Sequence, residues 1–206
     1  MTASCRPRRL LRPTLAMVAA MLAATLLVCA LAPRPALAAT APATGAYQVE
    51  VLIFRANDPP AGEDLSAAAE GRGFGNPVDP DTPPPELLRT LDSSHMQLGN
   101  LASRLRSSGA WTVLAHAAWV QTATDWPRHV GLKLEQLGLD AAELSGSVYL
   151  ERGQFLHLGF DLHLGTSPVW SLSELRKIRF NEKSYFDHPG FGVIAIVSPV
   201  ARGTGP

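Results

Sequence analysis

The feature that most constrains the fold is a stretch near the C-terminus, residues 184–199. It begins with a short polar and aromatic segment in which Pro189 disfavours a helical backbone at His188. Gly190 then accepts backbone angles that other residues avoid. A run of branched apolar residues follows and ends in a proline. The pattern predicts a sharp turn that leads into a buried strand, and such a strand inside a sheet would tie down the end of the chain.

The first 38 residues have the organisation of a secretory signal peptide. Four arginines precede an apolar run of 18 residues (15–32), and Ala36-Leu37-Ala38 places small residues where a signal peptidase reads them. We expect cleavage after Ala38, export to the periplasm and no stable membrane span afterwards. The alternative is an uncleaved anchor, because 18 residues are the lower limit for a spanning helix.

Cleavage would change the charge and the cysteine content of the chain. All 18 acidic residues follow position 38 but five of the 18 basic ones precede it, which leaves 13 basic residues and a net charge of −5. An acidic domain of this kind is not a general nucleic-acid binder. Cys5 and Cys29 also precede position 38, so the exported chain would have no disulfide, no cysteine nucleophile and no cysteine-ligated metal.

We expect a single domain over residues 47–200, between a flexible leader (39–46) and a flexible tail (201–206). Residues 47–54 alternate between apolar and polar side chains and predict a strand. The Pro- and Gly-rich segment 57–85 cannot bury much apolar surface, which predicts a long and poorly ordered loop.

The middle of the domain contains the clearest periodic patterns. Leucines at helical spacing over residues 86–107 predict one principal helix, and good capping residues allow its ordered part to begin only at Ser94. Residues 111–121 are apolar on both faces, which is typical of a strand inside a sheet. His116 is the only ionisable group of that strand, and we interpret it as a hydrogen-bonded core histidine rather than a catalytic one.

Residues 147–164 predict a hairpin. If the apolar residues of both strands face the same side, Leu150 opposes Leu156 and the loop comprises the three residues 152–154. The segment 169–180 fits either a strand or a helix. The predicted fold class is therefore α+β, a largely antiparallel sheet with one principal helix packed on a face, after a cleaved signal peptide.

No pattern in the sequence selects a catalytic or metal site. Serines and carboxylates are plentiful, but no spacing pairs a nucleophile with its base, so we expect no enzyme activity. His157, Asp161 and His163 alternate along one strand, yet the two histidines would lie roughly 20 Å apart, too far to share one ion. We expect neither a metal nor a cofactor. Arg176-Lys177-x-Arg179 forms a small basic cluster in an acidic domain, which suits either a solvated face or contact with an anionic group such as a carboxylate of a wall polymer.

Three blocks of the sequence resemble the CsiV family of periplasmic peptidoglycan-binding proteins. The first two are residues 47–55 and 111–121. The third is the most specific: it comprises Arg176, Lys177, Arg179, Glu182, Tyr185-Phe186-Asp187-His188-Pro189 and Gly192-Val193-Ile194. The blocks span residues 47–199. Two departures concern ligand contacts: Arg176-Lys177 stands where the family pattern has two arginines, and Ala117-Ala118 precede the central Trp119.

The resemblance implies a cell-envelope protein that binds peptidoglycan without catalysis and supports cell-wall assembly and cell shape. It also implies penicillin-binding proteins or their activators as partners. Candidate ligand-binding residues come from these blocks: Arg176, Lys177, Arg179, Tyr185, Asp187, His188, Trp119 and Gln121. Two alternatives remain, a non-catalytic adaptor that binds wall synthases and an exported hydrolase. For Asp187 and His188 we favour a structural role, in which they cap backbone groups of the turn before the last strand.

Overall fold

The computed structural model describes residues 45–59, 81–139, 143–166 and 169–200. The predicted signal peptide, the tail 201–206, almost all of the leader 39–46 and most of the 57–85 loop lie outside the described residues. Within the described ranges, no helix is both long enough and apolar enough to span a membrane.

The described residues form ten strands and one α-helix, α1 (Gly99–Ser107). In chain order the strands are β1 (Ala46–Ala56), β2 (Leu87–Leu91), β3 (Trp111–Thr122), β4 (Thr124–Asp125), β5 (Leu132–Lys133), β6 (Leu144–Arg152), β7 (Leu156–Leu164), β8 (Trp170–Lys177), β9 (Lys183–His188) and β10 (Phe191–Pro199). The segment 169–180, which fits two structures by sequence, contains a strand.

The first sheet has the strand order β2-β3-β1-β10-β9, and all of its neighbours are antiparallel. Three predicted strands are confirmed here: residues 47–54 within β1, 111–121 within β3, and the C-terminal apolar run within β10. As expected, β10 lies inside the sheet, between β1 and β9, and β3 lies between β2 and β1.

The second sheet has the order β4-β6-β7-β8, with β5 paired to β6. Its pairs are antiparallel except for the short parallel contact between β4 and β6. The largely antiparallel character of the prediction is therefore confirmed, but the strands divide into two sheets instead of one.

The described domain has three layers: the helix, the first sheet and the second sheet. The side chains of β1 alternate between the two faces of the first sheet. Val49, Val51 and Ile53 face the second sheet, where they join the main core with residues such as Val148 and Phe160. Each side chain of this size that is buried stabilises the fold by about 1.5–3 kcal/mol.

The other face of β1 is covered by the helix. Leu52 and Phe54 pack with Leu98 and Ala102, at the start and in the middle of α1, and with Ile196 of β10. The predicted packing of one helix on a face of the sheet is confirmed. Since the two sheets stack face to face, the helix side of the first sheet and the outer side of the second are opposite surfaces of the sandwich.

The predicted helix over 86–107 is wrong in its first half. Leu87–Leu91 is strand β2, and a single turn of 3₁₀ helix, Ser93–His95, separates it from α1. The edge of β3 has unpaired backbone N–H and C=O groups. Hydrogen bonding to them stabilises Leu87–Leu91 as a strand more than the helical spacing of its leucines favours a helix. The Thr122 N–H, for example, donates to the Glu86 carbonyl at 3.0 Å.

The predicted register of the hairpin is also wrong, by two residues. Leu150 opposes Leu158, and Arg152 opposes Leu156, so the three-residue loop is 153–155. A shift of two keeps every side chain on its predicted face, and the apolar alternation cannot detect it. The shift places Phe155 in the loop rather than in the strand.

Candidate functional site: two aromatic surfaces

Two of the candidate ligand residues lie in the core. Trp119 and Gln121 are fully buried, and the Trp119 indole N–H donates to the Gln121 side-chain oxygen at 2.6 Å. The Gln121 amide in turn donates to the Thr122 carbonyl at 3.1 Å. These hydrogen bonds satisfy two polar groups inside the sandwich, and burial removes both residues from any surface that a polymer could contact.

The basic cluster does not form one patch. The Arg176 guanidinium lies 3.3 Å from Glu174 and 4.2 Å above the Phe186 ring, and Arg179 lies 3.7 Å from Glu182. Both arginines therefore have carboxylate partners close to them along the chain.

Lys177 differs from these two arginines. It is exposed at the end of β8, and its ammonium lies 3.2 Å above the centre of the Phe155 ring. No carboxylate of the described residues lies within ion-pair distance of it.

His188 has the structural role predicted for it. The Gly190 N–H donates to His188 Nδ1 at 3.0 Å, which closes the turn before β10. The imidazole is buried between the rings of Trp170 and Phe191, with centroids 6.1 Å and 4.8 Å away. Burial lowers the pKa of His188 despite the neighbouring Asp187, so the ring is neutral at pH 7.

The predicted capping role of Asp187 is wrong. Its carboxylate accepts the Tyr185 hydroxyl at 2.6 Å instead of a backbone N–H of the turn. The reason is the alternation of β9: Tyr185 and Asp187 share the outward face of that strand, whereas His188 points inward.

Tyr185, Asp187 and Trp111, together with the buried Phe54 that contacts both aromatic rings, form what we call the tyrosine surface, on the helix side of the first sheet. The Tyr185 and Phe54 rings are nearly parallel with centroids 6.3 Å apart, and Trp111 meets Phe54 edge-on at 5.3 Å. Tyr185 lies over Gly192 of β10, where a Cβ atom would come within 3.0 Å of its ring. The Tyr185 side chain remains 46% exposed. The absence of a side chain at position 192 leaves the space that the Tyr185 and Phe54 rings occupy next to β10.

The Tyr185 hydroxyl is a permanent donor at physiological pH. Burial, the hydrogen bond to Asp187 and the charge of that carboxylate raise the pKa of Tyr185 to about 12. Asp187 is exposed and uses one oxygen for this bond. An ionised carboxylate has further acceptor sites, so Asp187 can accept hydrogen bonds from a ligand as well.

Trp126, His157, Phe155 and Lys177 form the tryptophan surface, on the outer side of the second sheet. The Trp126 and His157 rings are stacked with centroids 3.9 Å apart. His157 is the cross-strand neighbour of Lys177, so the two side chains share a face. Trp126 and Phe155 are each 42% exposed. This surface brings together two exposed aromatic rings and a cation.

The loop that carries Trp126 is fastened to the sheet by Glu151. This side chain is fully buried, and one of its oxygens accepts the backbone N–H of His129 and lies 3.3 Å from His129 Nδ1. The other oxygen, Oε2, has no hydrogen-bond partner among the described residues. Burial raises the pKa of Glu151, and the contacts with His129 only partly oppose this.

A second buried glutamate, Glu50, lies under the helix. Its carboxylate accepts the backbone N–H groups of Gln97 and Leu98 at 2.6 Å and 2.8 Å, just before α1 begins. His116 Nε2 lies 2.8 Å from the same carboxylate, which confirms that His116 is a hydrogen-bonded histidine. Burial acts to raise the pKa of Glu50, but these hydrogen bonds outweigh it and the pKa is lowered.

The histidines considered as metal ligands have other surroundings. His163 Nδ1 lies 2.9 Å from the Ser171 hydroxyl, and its Nε2 lies 3.7 Å from Asp161, whereas His157 stacks on Trp126. In the part of the chain that the structure describes, no three potential metal-ligating side chains converge.

Sequence reasoning did not identify Trp126, Phe155, His157 or Glu151 as site residues. The available signal was Asp125-Trp126-Pro127, a large aromatic residue within a turn, where burial is not expected. The hairpin loop gives no such signal, because the predicted register of the hairpin differs by two residues from the observed one.

Comparison with known proteins gave no match: no family model, no curated protein and no solved structure resembles the chain significantly. The resemblance to the CsiV family therefore stays a prediction that rests on the quoted residues alone.

Proposed function

We propose that this chain is an exported, non-catalytic protein of the periplasm that binds peptidoglycan and supports cell-wall assembly. The observation that carries the proposal is the Tyr185–Asp187 pair of the tyrosine surface. A flat, half-exposed ring beside an exposed carboxylate suits a sugar, since the ring packs on the apolar C–H face and the carboxylate accepts hydroxyl groups.

The location of this pair in the sequence supports the same function. Tyr185 and Asp187 belong to the C-terminal block that carries the resemblance. Within that block, Phe186 and His188 are buried and structural, whereas Tyr185 and Asp187 are exposed. Neither exposed residue closes the turn, so both side chains are accessible to a ligand.

The two buried carboxylate–histidine pairs favour binding over hydrolysis. Glu50 and Glu151 are inaccessible to solvent and each holds backbone N–H groups, Glu50 before α1 and Glu151 in the loop that carries Trp126. A carboxylate that is fixed in this way supports the scaffold, and it cannot reach a substrate on the surface.

The test is sedimentation of the purified protein with isolated peptidoglycan sacculi. We expect the wild-type protein to pellet, and we expect Tyr185→Ala to weaken binding about tenfold, the cost of losing a central aromatic contact. Leu88→Ala is a matched control, because Leu88 is similarly exposed at 44% but lies outside the tyrosine surface.

The other functions predict different outcomes of the same experiment. An adaptor for wall synthases would stay in the supernatant with sacculi but co-purify with a synthase or its activator. A hydrolase would release soluble fragments, and release would stop on replacing Asp187. Wild-type protein that remains wholly in the supernatant would overturn the proposal.

A further inference from the structure

The tryptophan surface has a chemical character of its own. It lies on the opposite side of the sandwich from the tyrosine surface and presents a cation, Lys177, where the tyrosine surface presents a carboxylate, Asp187. A carboxylate repels another carboxylate and an ammonium attracts one. The two surfaces therefore suit different chemical groups.

We propose that the tryptophan surface is a second contact for the wall polymer and that it binds the acidic peptide stems, with Lys177 pairing to a stem carboxylate and Trp126 packing on the adjoining apolar groups. This inference rests on the proposed function. It assigns the anion contact, for which the sequence offered three basic residues, to Lys177 alone.

The charges of the basic cluster support this assignment. Glu174 and Glu182 lie close to Arg176 and Arg179 and offset their charges, so an incoming carboxylate would have to compete with them. The Lys177 ammonium faces an aromatic ring, which leaves its charge uncompensated by any carboxylate of the described residues.

His157 contributes an aromatic face to this surface and not a second charge. Burial and the nearby charge of Lys177 lower its pKa, so the imidazole is neutral at pH 7. The ring stacks on Trp126 at 3.9 Å, and Trp126 remains 42% exposed. A ligand meets one ammonium beside two exposed aromatic rings.

The surface is also held in place before any ligand arrives. The backbone N–H of Trp126 donates to the Arg152 carbonyl at 3.1 Å. The Glu151 carboxylate accepts the backbone N–H of His129, three residues further along the loop. At Gly153 a Cβ would lie 3.1 Å from the Trp126 side chain, so Trp126 packs closely on the hairpin loop. A preformed surface avoids most of the entropy cost of ordering side chains on binding.

The net charge of the chain favours a ligand with isolated carboxylates over a dense polyanion. After the predicted cleavage the chain carries a net charge of −5, which repels a nucleic acid or another dense polyanion at long range. A peptide stem carries single carboxylates between apolar side chains, so it matches one ammonium next to aromatic rings.

The test compares variants of the full protein for binding to sacculi and to soluble disaccharide–peptide fragments, before and after chemical amidation of the stem carboxylates. We expect Lys177→Gln to weaken binding of the unmodified fragments about threefold to fivefold, as an exposed ion pair of up to about 1 kcal/mol allows. Trp126→Ala should weaken binding about tenfold. Amidated fragments should bind wild type and Lys177→Gln equally.

Arg179→Gln is the matched control, since it removes the same charge from the same cluster, and we expect it to bind like wild type. Lys177 is exposed, so its variant is expected to fold normally, which thermal melting verifies. Binding that is unchanged in both Lys177→Gln and Trp126→Ala would overturn the inference, as would indifference to amidation.

The failure of this inference is distinguishable from the failure of the proposed function. If wild type pellets with sacculi and only Tyr185→Ala weakens binding, the proposed function stands and the tryptophan surface is not a wall contact. If Trp126→Ala instead loses a co-purifying protein with no change in sacculus binding, the occupant is an acidic protein segment and the inference is wrong.

Discussion

Glu50 and Glu151 are both buried glutamates that meet a histidine, yet their pKa values move in opposite directions. Glu50 accepts two backbone N–H groups and lies 2.8 Å from His116, and its pKa is lowered. Glu151 accepts the His129 N–H, and its Oε2 has no hydrogen-bond partner among the described residues. Burial raises its pKa more than the contacts with His129 and the Arg128 backbone lower it. Burial disfavours the charge in both places, and the direction depends on whether the hydrogen bonds and the nearby histidine outweigh it, as they do at Glu50 and not at Glu151.

This difference separates the scaffold from the candidate site. Glu50 is the anchor of α1 and is stable as a carboxylate. Glu151 fastens the loop of the tryptophan surface, and its charge reduces stability there. Incompletely satisfied polar groups of this kind are tolerated where a structure serves binding rather than stability alone.

The largest expected effect is that of Glu50→Ala. The change leaves the Gln97 and Leu98 N–H groups and His116 without their acceptor in a buried position. We expect the free energy of unfolding to fall by about 3–5 kcal/mol, which urea denaturation measures. Glu135→Ala, at an exposed position, should change it by less than about 0.5 kcal/mol. A loss below about 1 kcal/mol for Glu50→Ala would refute the anchoring role.

Substitution by glutamine compares the two glutamates without a change in side-chain size. Glu50→Gln replaces a carboxylate that accepts three hydrogen bonds, and we expect a loss of about 2 kcal/mol. Glu151→Gln keeps an oxygen for the His129 N–H and removes a charge that burial disfavours, so its effect at pH 7 should lie within about 0.5 kcal/mol of zero or be stabilising. Equal losses from the two substitutions would contradict the distinction.

The pH dependence gives the smallest effect but has a predicted sign. The folded-state pKa of Glu50 is below 4.5, so its stabilising contribution is present above that pH and is lost as the pH falls through the folded value. The folded-state pKa of Glu151 is above 4.5, so its contribution is present below that pH and is lost as the pH rises through the folded value.

The two glutamine variants report these contributions separately. In urea denaturation, the loss from Glu50→Gln should shrink as the pH drops from 7 towards 3. Glu151→Gln should instead become more favourable relative to wild type as the pH rises from 4 to 7. Parallel pH profiles for the two variants would show that both glutamates titrate alike.

The sequence predicts β1, β3 and β10 of the first sheet, because alternation and apolar runs are local properties, but it assigns the residues of β9 to the turn before the last strand. It does not predict β2, since Leu87–Leu91 pairs with β3 only once that edge exists. Alternation also places Glu50 away from the main core, which by itself indicates solvent. Its burial under α1 depends on a packing partner from another part of the chain.

The two candidate surfaces also differ in how far the sequence predicts them. Tyr185 and Asp187 were recognisable because both lie in one short block. The three basic residues are adjacent in sequence but separate in space, because the side chains of Arg176 and Lys177 point to opposite faces of β8 and Arg179 follows its end. The tryptophan surface combines a loop, a hairpin turn and a strand end, and no local pattern connects these three.

The most direct test of wall binding is the set of four tryptophan indole N–H signals in an NMR spectrum of the protein. Soluble disaccharide–peptide fragments should shift the signals of Trp111 and Trp126, one on each surface, and leave the buried indole of Trp119 unchanged. Unchanged signals for both Trp111 and Trp126 at saturating ligand would contradict the proposed binding.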